Sequence, residues 1–152
     1  EYFDEKININ CCTSFDELVE SVIENNTVKG VMAIENSIAG SILPNYALID
    51  QNNLNIIGEH YHQIKHSLLA LPNQSMSDIH EVYSHPMALL QCKDFFSNYP
   101  KIKLVESDDT AKSAKEISDK KIKNRGAIAS IEASDLYSLI VIKKSIQTIK
   151  IK

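Results

Sequence analysis

The chain has 152 residues, enough for one ordinary domain or two small lobes, and its hydrophobic content of 43% is typical of a globular protein. A net charge of −4, with both signs spread along the chain, argues against nucleic acid as the main partner. Three cysteines, two of them adjacent, provide no disulfide framework or zinc spacing, and no apolar run has the length of a membrane span, so we expect a cytoplasmic protein with reduced thiols and no membrane association.

A short strand and a helix are predicted first. Residues Lys6–Ile9 fit the strand, and Ser14 with Glu17 forms a capping box that marks the start of the helix. The apolar residues behind the box recur at helical spacing, which predicts an amphipathic helix ending near residue 25. They are Phe15, Leu18, Val19, Val22 and Ile23.

The next stretch changes abruptly from apolar to polar. Val28–Ile34 predicts a buried strand, and Glu35, Asn36 and Ser37 follow where that strand leaves its sheet. Ligands bind outside the carboxyl ends of strands in open α/β sheets, so these side chains suit a polar organic ligand. Ser41 would share a face with Ser37 if the loop turned helical. The alternative is that Asn36 and Ser37 only cap a turn.

A helix over Pro44–Ile49 and strands over Leu54–Ile57 and Ile64–Leu71 are predicted next. The composition of Pro72–Ser75 is typical of a linker and predicts a lobe boundary there. We expect a first lobe over residues 1–74, a second over 75–143 and a return toward the first over 144–152.

Three histidines lie here: His60 and His62 between these strands, and His66 near the start of the second. Two of them share a strand face, which is one way of arranging metal ligands. Because no Cys or carboxylate set completes such a site, we interpret them as surface or packed histidines and expect no metal.

A second polar segment begins at Ser84. Pro86 fits the first position of a helix, with Ser84 and His85 at its cap and Gln91 about two turns further on. A helix start presents free amide groups that can hold a carboxylate, to which Ser84 would add a hydroxyl. The alternative is plain capping by Ser84 with an exposed His85.

The remaining elements alternate between strand and helix. A strand over Lys101–Val105 precedes a helix capped near Thr110, and a buried strand over Gly126–Ser130 precedes a helix and a strand over Leu139–Ile142. This alternation on both sides of one linker predicts an α/β protein with two lobes.

Four of these motifs, in this order, resemble those of prephenate dehydratases over nearly the whole chain. They are Glu35–Ser37 with Gly40 and Ser41, the segment Ser84–Cys92, the Asp-Thr-Ala step at Thr110, and the segment Gly126–Ser130 with its following Leu-Tyr-x-Leu pattern. Met87 departs from the Gln of many family members.

The resemblance implies a two-lobed fold similar to type II periplasmic binding proteins, with a cleft between the lobes. It implies decarboxylating dehydration of prephenate to phenylpyruvate without a cofactor or a metal, with Glu35 and His85 as candidate catalytic groups. The implied substrate-binding residues are Asn36, Ser37, Ser41, Ser84, Gln91, Thr110 and Ser130.

The resemblance also implies a catalytic Thr-Arg-Phe motif, whose Thr is the main catalytic residue. This sequence does not contain the motif, and its sole arginine is Arg125. We therefore expect a fragment, cut at both ends, that is inactive alone although the full protein is an enzyme. By resemblance, the full protein is a homodimer, and phenylalanine acts only through a regulatory domain outside this chain. Arogenate dehydratase, a solute-binding module and a degenerate non-catalytic domain remain as alternatives.

Overall fold

A computed structural model describes residues 7–24, 29–36 and 40–148 and divides the chain into two compact units, Glu1–Tyr61 and His62–Lys152. The predicted lobe boundary at residue 74 differs from this division. The reason is that Ser67–Ala70 is a strand of the second unit's sheet, so this segment leaves the first unit.

The described part of the first unit contains two helices and a two-stranded ribbon. Its elements are α1 (Phe15–Glu24), β1 (Glu35–Asn36), β2 (Gly40–Ser41) and α2 (Leu43–Gln51).

Helix α1 confirms the predicted capping box with one shift. Ser14 Oγ accepts a hydrogen bond from Glu17 N at 3.1 Å. The Glu17 carboxylate reaches one residue further back than predicted and accepts from Thr13 N at 2.6 Å. The hydrogen bond from the Thr13 hydroxyl is the main reason why the pKa of Glu17 lies below its ordinary value.

The prediction of a buried strand over Val28–Ile34 is wrong for its described part, residues 29–34, while Val28 lies outside the described residues. Residues 29–34 form no strand, and Val31 is 75% exposed. A strand needs a neighbour to pair its backbone groups. In the described part of this unit, the sole strand pairing is β1 with β2, which is two residues long and antiparallel.

Two other strand predictions in this unit are also wrong. Residues 7–9 are exposed and irregular, and Lys6 lies outside the described residues. Leu54–Ile57 forms no strand, and Ile57 is 75% exposed, because no described strand lies alongside. The helix predicted over Pro44–Ile49 is confirmed as part of α2, with proline in its first turn.

The second unit is built on a five-stranded mixed sheet in the order β5-β4-β6-β3-β7. Strand β4 is parallel to β5 and β6, whereas β3 is antiparallel to β6 and β7. The strands are β3 (Ser67–Ala70), β4 (Glu81–Ser84), β5 (Lys103–Glu106), β6 (Arg125–Ala129) and β7 (Ile140–Lys143). The helices are α3 (Pro86–Gln91), α4 (Lys93–Ser97), α5 (Thr110–Lys120) and α6 (Ile131–Leu136), with a 3-10 turn at Met76–Asp78.

Both faces of this sheet are buried, because strand residues alternate between two apolar clusters. One cluster packs the sheet against α3 and α4, and the other packs it against α5 and α6. The first contains Leu68, Val82, Leu89, Cys92, Phe96 and Ile128, and the second contains Leu69, Ala114, Ile117, Ala127, Ala133 and Leu139. The four strands that the sequence predicts in this unit are confirmed as β3, β5, β6 and β7, with ends shifted by up to three residues.

Cys11, Cys12 and Cys92 are free thiols, and Cys92 is buried. Burial raises the pKa of Cys92 to about 12, so its thiol is protonated and unreactive at neutral pH. Within the described ranges, no helix is long and apolar enough to cross a membrane.

Candidate functional site

One edge of the five-stranded sheet collects most of the polar residues singled out from the sequence. The parallel strands β4, β5 and β6 all end at this edge, which we call the carboxyl edge. Strand β3 runs the opposite way and begins there, because Ser67 pairs with Ala129 at the end of β6. Ser84, His85, Thr110 and Ser130 lie at the strand ends, connections and helix starts that follow this edge.

Ser84 is the last residue of β4 and is fully buried. Its hydroxyl donates a hydrogen bond of 2.8 Å to the backbone carbonyl of Ile128, in the neighbouring strand. Its own carbonyl accepts from Ser107 N at 2.9 Å. Because the hydroxyl hydrogen is donated to the Ile128 carbonyl, Ser84 Oγ could only accept a hydrogen bond from a ligand.

His85, not Ser84, caps helix α3. Its Nδ1 accepts a hydrogen bond from Met87 N at 3.2 Å, which corrects the alternative of capping by Ser84. A nitrogen that accepts carries no proton, so the neutral ring holds its proton on Nε2. The exposed ring, with Pro86, Glu106, Ser107 and Asp108, lines an open depression of about 310 Å³.

Thr110 is the first residue of α5 and is half-buried. The cap itself is Asp109, whose Oδ1 accepts from Lys112 N at 2.7 Å. Ser113 Oγ donates to the Asp109 carbonyl at 2.7 Å and lies 2.6 Å from Ser107 Oγ. These bonds fix the loop between β5 and α5 beside the depression.

Ser130 caps helix α6, since its Oγ accepts from Ala133 N at 3.3 Å. Glu132 lies in the first turn of the same helix. The pKa of Glu132 lies below its ordinary value, chiefly through a hydrogen bond from its own backbone amide and next through one from Ser130. Ser130 is therefore both an exposed hydroxyl and the support of an ionised carboxylate.

Gln91 reaches the carboxyl edge through a residue that the sequence analysis gave no role at the site. Its Oε1 lies 2.7 Å from Nε2 of His66, the residue directly before β3. His66 is 7% exposed, whereas His60 and His62 are exposed. The sequence indicates this contact only through a histidine inside the predicted strand Ile64–Leu71, where a buried imidazole without a hydrogen-bond partner would be unfavourable.

Ser67 is a second residue that the sequence analysis missed. It follows His66 at the carboxyl edge and is fully buried. Within the described part of the chain, its hydroxyl has no hydrogen-bond partner. A buried hydroxyl without a partner is uncommon.

The first unit brings together three of the four predicted residues that it carries. Glu35 lies opposite Ser41, and Asn36 lies next to Glu35 in β1. Glu35 and Ser41 are exposed, and Asn36 is half-buried. The helical loop that would place Ser41 on one face with Ser37 is not found at Ser41, which belongs to β2; Ser37 lies outside the described residues.

Asn45 supports this ribbon from α2. It is 2% exposed, and its Nδ2 donates a hydrogen bond of 2.7 Å to the carbonyl of Ala33. Ile42 N donates to the carbonyl of Ile34 at 2.9 Å. Residues 33 and 34 are therefore fixed by α2 and its preceding residue.

No group of three or more His, Cys, Asp or Glu residues that could hold a metal occurs among the described residues of either unit.

Comparison with known proteins gives consistent results. The model of the prephenate dehydratase family matches residues 1–151. The chain is 40% identical over 149 residues to arogenate dehydratase 2 of Petunia hybrida, covering 94% of this chain and 37% of that protein. It is 36% identical over 137 residues to a bifunctional chorismate mutase/prephenate dehydratase of Buchnera aphidicola subsp. Schizaphis graminum, covering 90% of this chain and 36% of that protein.

The fold is similar to that of a solved prephenate dehydratase. The structure from Arthrobacter aurescens, in complex with L-Phe, superposes with a TM-score of 0.77 at 25% identity, covering 90% of this chain and 46% of that one. The chain thus spans little more than a third of the two curated relatives and about half of the solved structure.

Proposed function

The chain belongs to the prephenate dehydratase family, and we propose that it supplies the substrate-binding part of an enzyme that converts prephenate into phenylpyruvate. The family match over residues 1–151 carries this proposal. The two-lobed fold of the type II periplasmic-binding-protein kind, with a ligand cleft between the lobes, remains part of the proposal. So do cytoplasmic location, a homodimer, and phenylalanine control through a separate regulatory domain.

The reaction removes carbon dioxide and a hydroxyl group from one ring. Electrons of the breaking carbon–carbon bond enter the ring, the hydroxyl leaves as water after gaining a proton, and the ring becomes aromatic. No net oxidation occurs, so the chemistry requires no redox cofactor. The protein must hold two carboxylates, place a proton donor at the leaving hydroxyl and exclude competing geometries.

The residues of the carboxyl edge suit these tasks. His85 is proposed to direct its Nε2–H group toward the leaving hydroxyl from beside the depression, as a hydrogen-bond donor. To protonate this hydroxyl as an acid it would need its imidazolium form, in which Nδ1 no longer accepts from Met87 N. Gln91 and Thr110 offer neutral donors for carboxylate oxygens. Ser84 and Ser130, whose hydroxyl hydrogens are donated to the Ile128 carbonyl and to Glu132, offer acceptors. In the first unit, Asn36, Ser37 and Ser41 are proposed contacts, with Glu35 as a second candidate proton donor.

The first experiment is an absorbance assay for phenylpyruvate with prephenate as substrate, on this chain and on the complete gene product. We expect turnover by the complete product and none by this chain, whose sequence contains no Thr-Arg-Phe. Turnover by the chain alone would assign the chemistry to Glu35, His85 or another residue present in it. If arogenate reacts and prephenate does not, the substrate is arogenate; if neither reacts, the proposal fails.

Ser84→Ala tests the carboxyl edge, with Ser118→Ala as its control. Ser118 Oγ also donates to a backbone carbonyl, that of Tyr137 at 2.7 Å, but near the far end of α5. Both variants lose one such bond, so similar losses of stability are expected. Only Ser84→Ala should lower kcat/KM, by about tenfold or more. Equal activity of the two variants would remove Ser84 from the site.

Asn36→Ala tests the first unit in the same way, with Asn52→Ala as its control. Asn52 is also half-buried, and its Nδ2 donates to the carbonyl of Leu48 at 2.9 Å. We expect Asn36→Ala to lower kcat/KM by about tenfold and Asn52→Ala to leave it unchanged. Wild-type kinetics in Asn36→Ala would contradict its placement in the site.

A further inference from the structure

We propose that His66 is a positioning residue, which holds the amide of Gln91 so that its NH₂ group is the part presented to substrate. This inference rests on the proposed function, in which Gln91 contacts the substrate. His66 touches no substrate atom in this proposal and acts only through Gln91.

The hydrogen bond between the two side chains determines their orientation. Gln91 Oε1 and His66 Nε2 are 2.7 Å apart. An amide oxygen can only accept, so His66 Nε2 carries the proton and donates it. With Oε1 engaged, the Nε2 amino group of Gln91 is the polar end that remains for a ligand.

His66 itself is held firmly by the end of the second unit. Its backbone N donates to Gln147 Oε1 at 3.1 Å, and its carbonyl accepts from Ile146 N at 2.9 Å. The next residue, Ser67, pairs with Ala129 of β6. Because His66 is 7% exposed and its backbone is bonded on both sides, its ring has a fixed position from which it can orient the amide of Gln91.

Gln91 is braced at its backbone as well. Its carbonyl accepts from Thr148 N at 2.9 Å, and Gln91 is the last residue of α3. A half-buried glutamine side chain has several rotatable bonds, and its amide can turn over unless one end is fixed. The bond to His66 is the contact that fixes it.

The orientation matters because of the substrate's charge. The two carboxylates and the hydroxyl of the proposed substrate attract an amide NH₂ group, whereas the amide oxygen would repel carboxylate oxygens. Burial lowers the pKa of His66 and outweighs the opposite effect of Gln91, so the ring is neutral near pH 7 and carries one ring proton. A proton on Nε2 engages the Oε1 end of Gln91, whereas a proton on Nδ1 would leave Nε2 to accept from the amide NH₂, so the Nε2 tautomer corresponds to the proposed orientation.

A double-mutant cycle in the complete gene product tests the proposal. His66→Leu removes the donor at similar size, and Gln91→Leu removes the amide. We expect each change to lower kcat/KM for prephenate by about tenfold or more, and the double variant to be no worse than Gln91→Leu within about twofold. His66→Gln, which restores an NH₂ donor at similar reach, should recover most of the loss.

Gln74→Leu is the matched control for Gln91→Leu. Gln74 is also half-buried, and its Oε1 accepts a 2.6 Å bond from Asn124 N, away from the carboxyl edge. We expect this variant to keep wild-type kinetics. Losses from His66→Leu and Gln91→Leu that multiply, or a His66→Gln variant as slow as His66→Leu, would overturn the positioning role.

A measurement that does not depend on activity completes the test. Nitrogen NMR of the imidazole ring should find the proton of His66 on Nε2, and a proton on Nδ1 would overturn the proposal. If the wild-type protein turns over neither prephenate nor arogenate, the proposed function has failed. If it turns over substrate but Gln91→Leu is fully active, Gln91 is not a substrate contact and the role of His66 fails with it, while the proposed reaction stands.

Discussion

The segment at residues 29–36 and strand β6 have similar sequences and different surroundings. The first reads Lys-Gly-Val-Met-Ala-Ile-Glu-Asn, and the second begins Arg-Gly-Ala-Ile-Ala and is followed by Ser130. Strand β6 lies between β4 and β3, and Ala127 and Ile128 are fully buried. Val31 of the other segment is 75% exposed. An apolar run becomes a buried strand only where strands on both sides complete its hydrogen bonds.

The largest expected effect contrasts an apolar truncation in each segment. Ile128→Ala opens a cavity in the core of the second unit and should lower its free energy of unfolding by about 2–5 kcal/mol. Val31→Ala, at an exposed site, should change stability by less than about 0.5 kcal/mol. Urea denaturation followed by far-UV circular dichroism measures both. Similar losses from the two changes would mean that residues 29–34 pack far more tightly than their exposure indicates.

The glycines at the start of the two segments provide a second contrast. A Cβ at Gly126 would lie 2.8 Å from Leu68 Cδ1 and 3.3 Å from Val82 Cγ2, both in a fully buried core. Gly126→Ala should therefore destabilise the second unit by about 1–3 kcal/mol.

Gly30→Ala is the control for that change. The three atoms nearest to its Cβ would belong to the side chains of Val22 and Leu18, the nearest being 3.1 Å away. These side chains can yield, and alanine also restricts the unfolded chain, so a change of less than about 0.5 kcal/mol is expected. The same urea experiment decides the matter, and a larger loss for Gly30→Ala would contradict the contrast.

Asn45 tests the same contrast in the first unit, because its side chain bonds to a backbone carbonyl of residues 29–34 where β6 has strand neighbours. Asn45→Ala removes the 2.7 Å bond to the Ala33 carbonyl and should destabilise the first unit by about 1 kcal/mol. Hydrogen exchange of the amides at residues 31–36 should speed up, while the amides of β6 keep their protection. Unchanged exchange in residues 31–36 would show that the bond does not hold this segment.

Local signals predicted the elements whose stabilising contacts are near in sequence. The caps at Ser14 and Asp109, the proline at the start of α3 and the short apolar runs all act within a few residues. Distant pairings were not predictable in this way. Ser84 bonds to Ile128 across 44 residues, and His66 bonds to Gln91 across 25. No short pattern encodes which partner the folded sheet will provide.

The candidate site follows the same rule. The loops after β4, β5 and β6 could be assigned to the site because polar residues directly follow apolar runs there. The buried state of Ser84, the capping role of His85 and the contact of His66 depend on where the strands meet. The failed strand at residues 29–34 has the same cause, since its sequence lacks nothing that β6 has.

The smallest expected effect concerns pH and belongs to the second unit. Burial holds the pKa of His66 below its ordinary value of 6.5, so the unfolded chain binds the proton more readily. The resulting stability is complete above pH 6.5 and is lost as the pH falls through the lower pKa of the folded state. Urea denaturation at about pH 7.5 and about pH 5.5 should show a smaller decrease in His66→Gln than in the wild type. An identical decrease in both proteins would exclude this contribution.

The antiparallel placement of β3 has a consequence for synthesis on the ribosome. Both neighbours of β3 come much later in the chain, at Arg125–Ala129 and Ile140–Lys143. Leu68 and Leu69 therefore leave the ribosome long before β6 and β7 are synthesised, and until then they form a short apolar segment without strand partners. A chain released before β6 is complete would leave that segment without its strand partners and open to association with other chains.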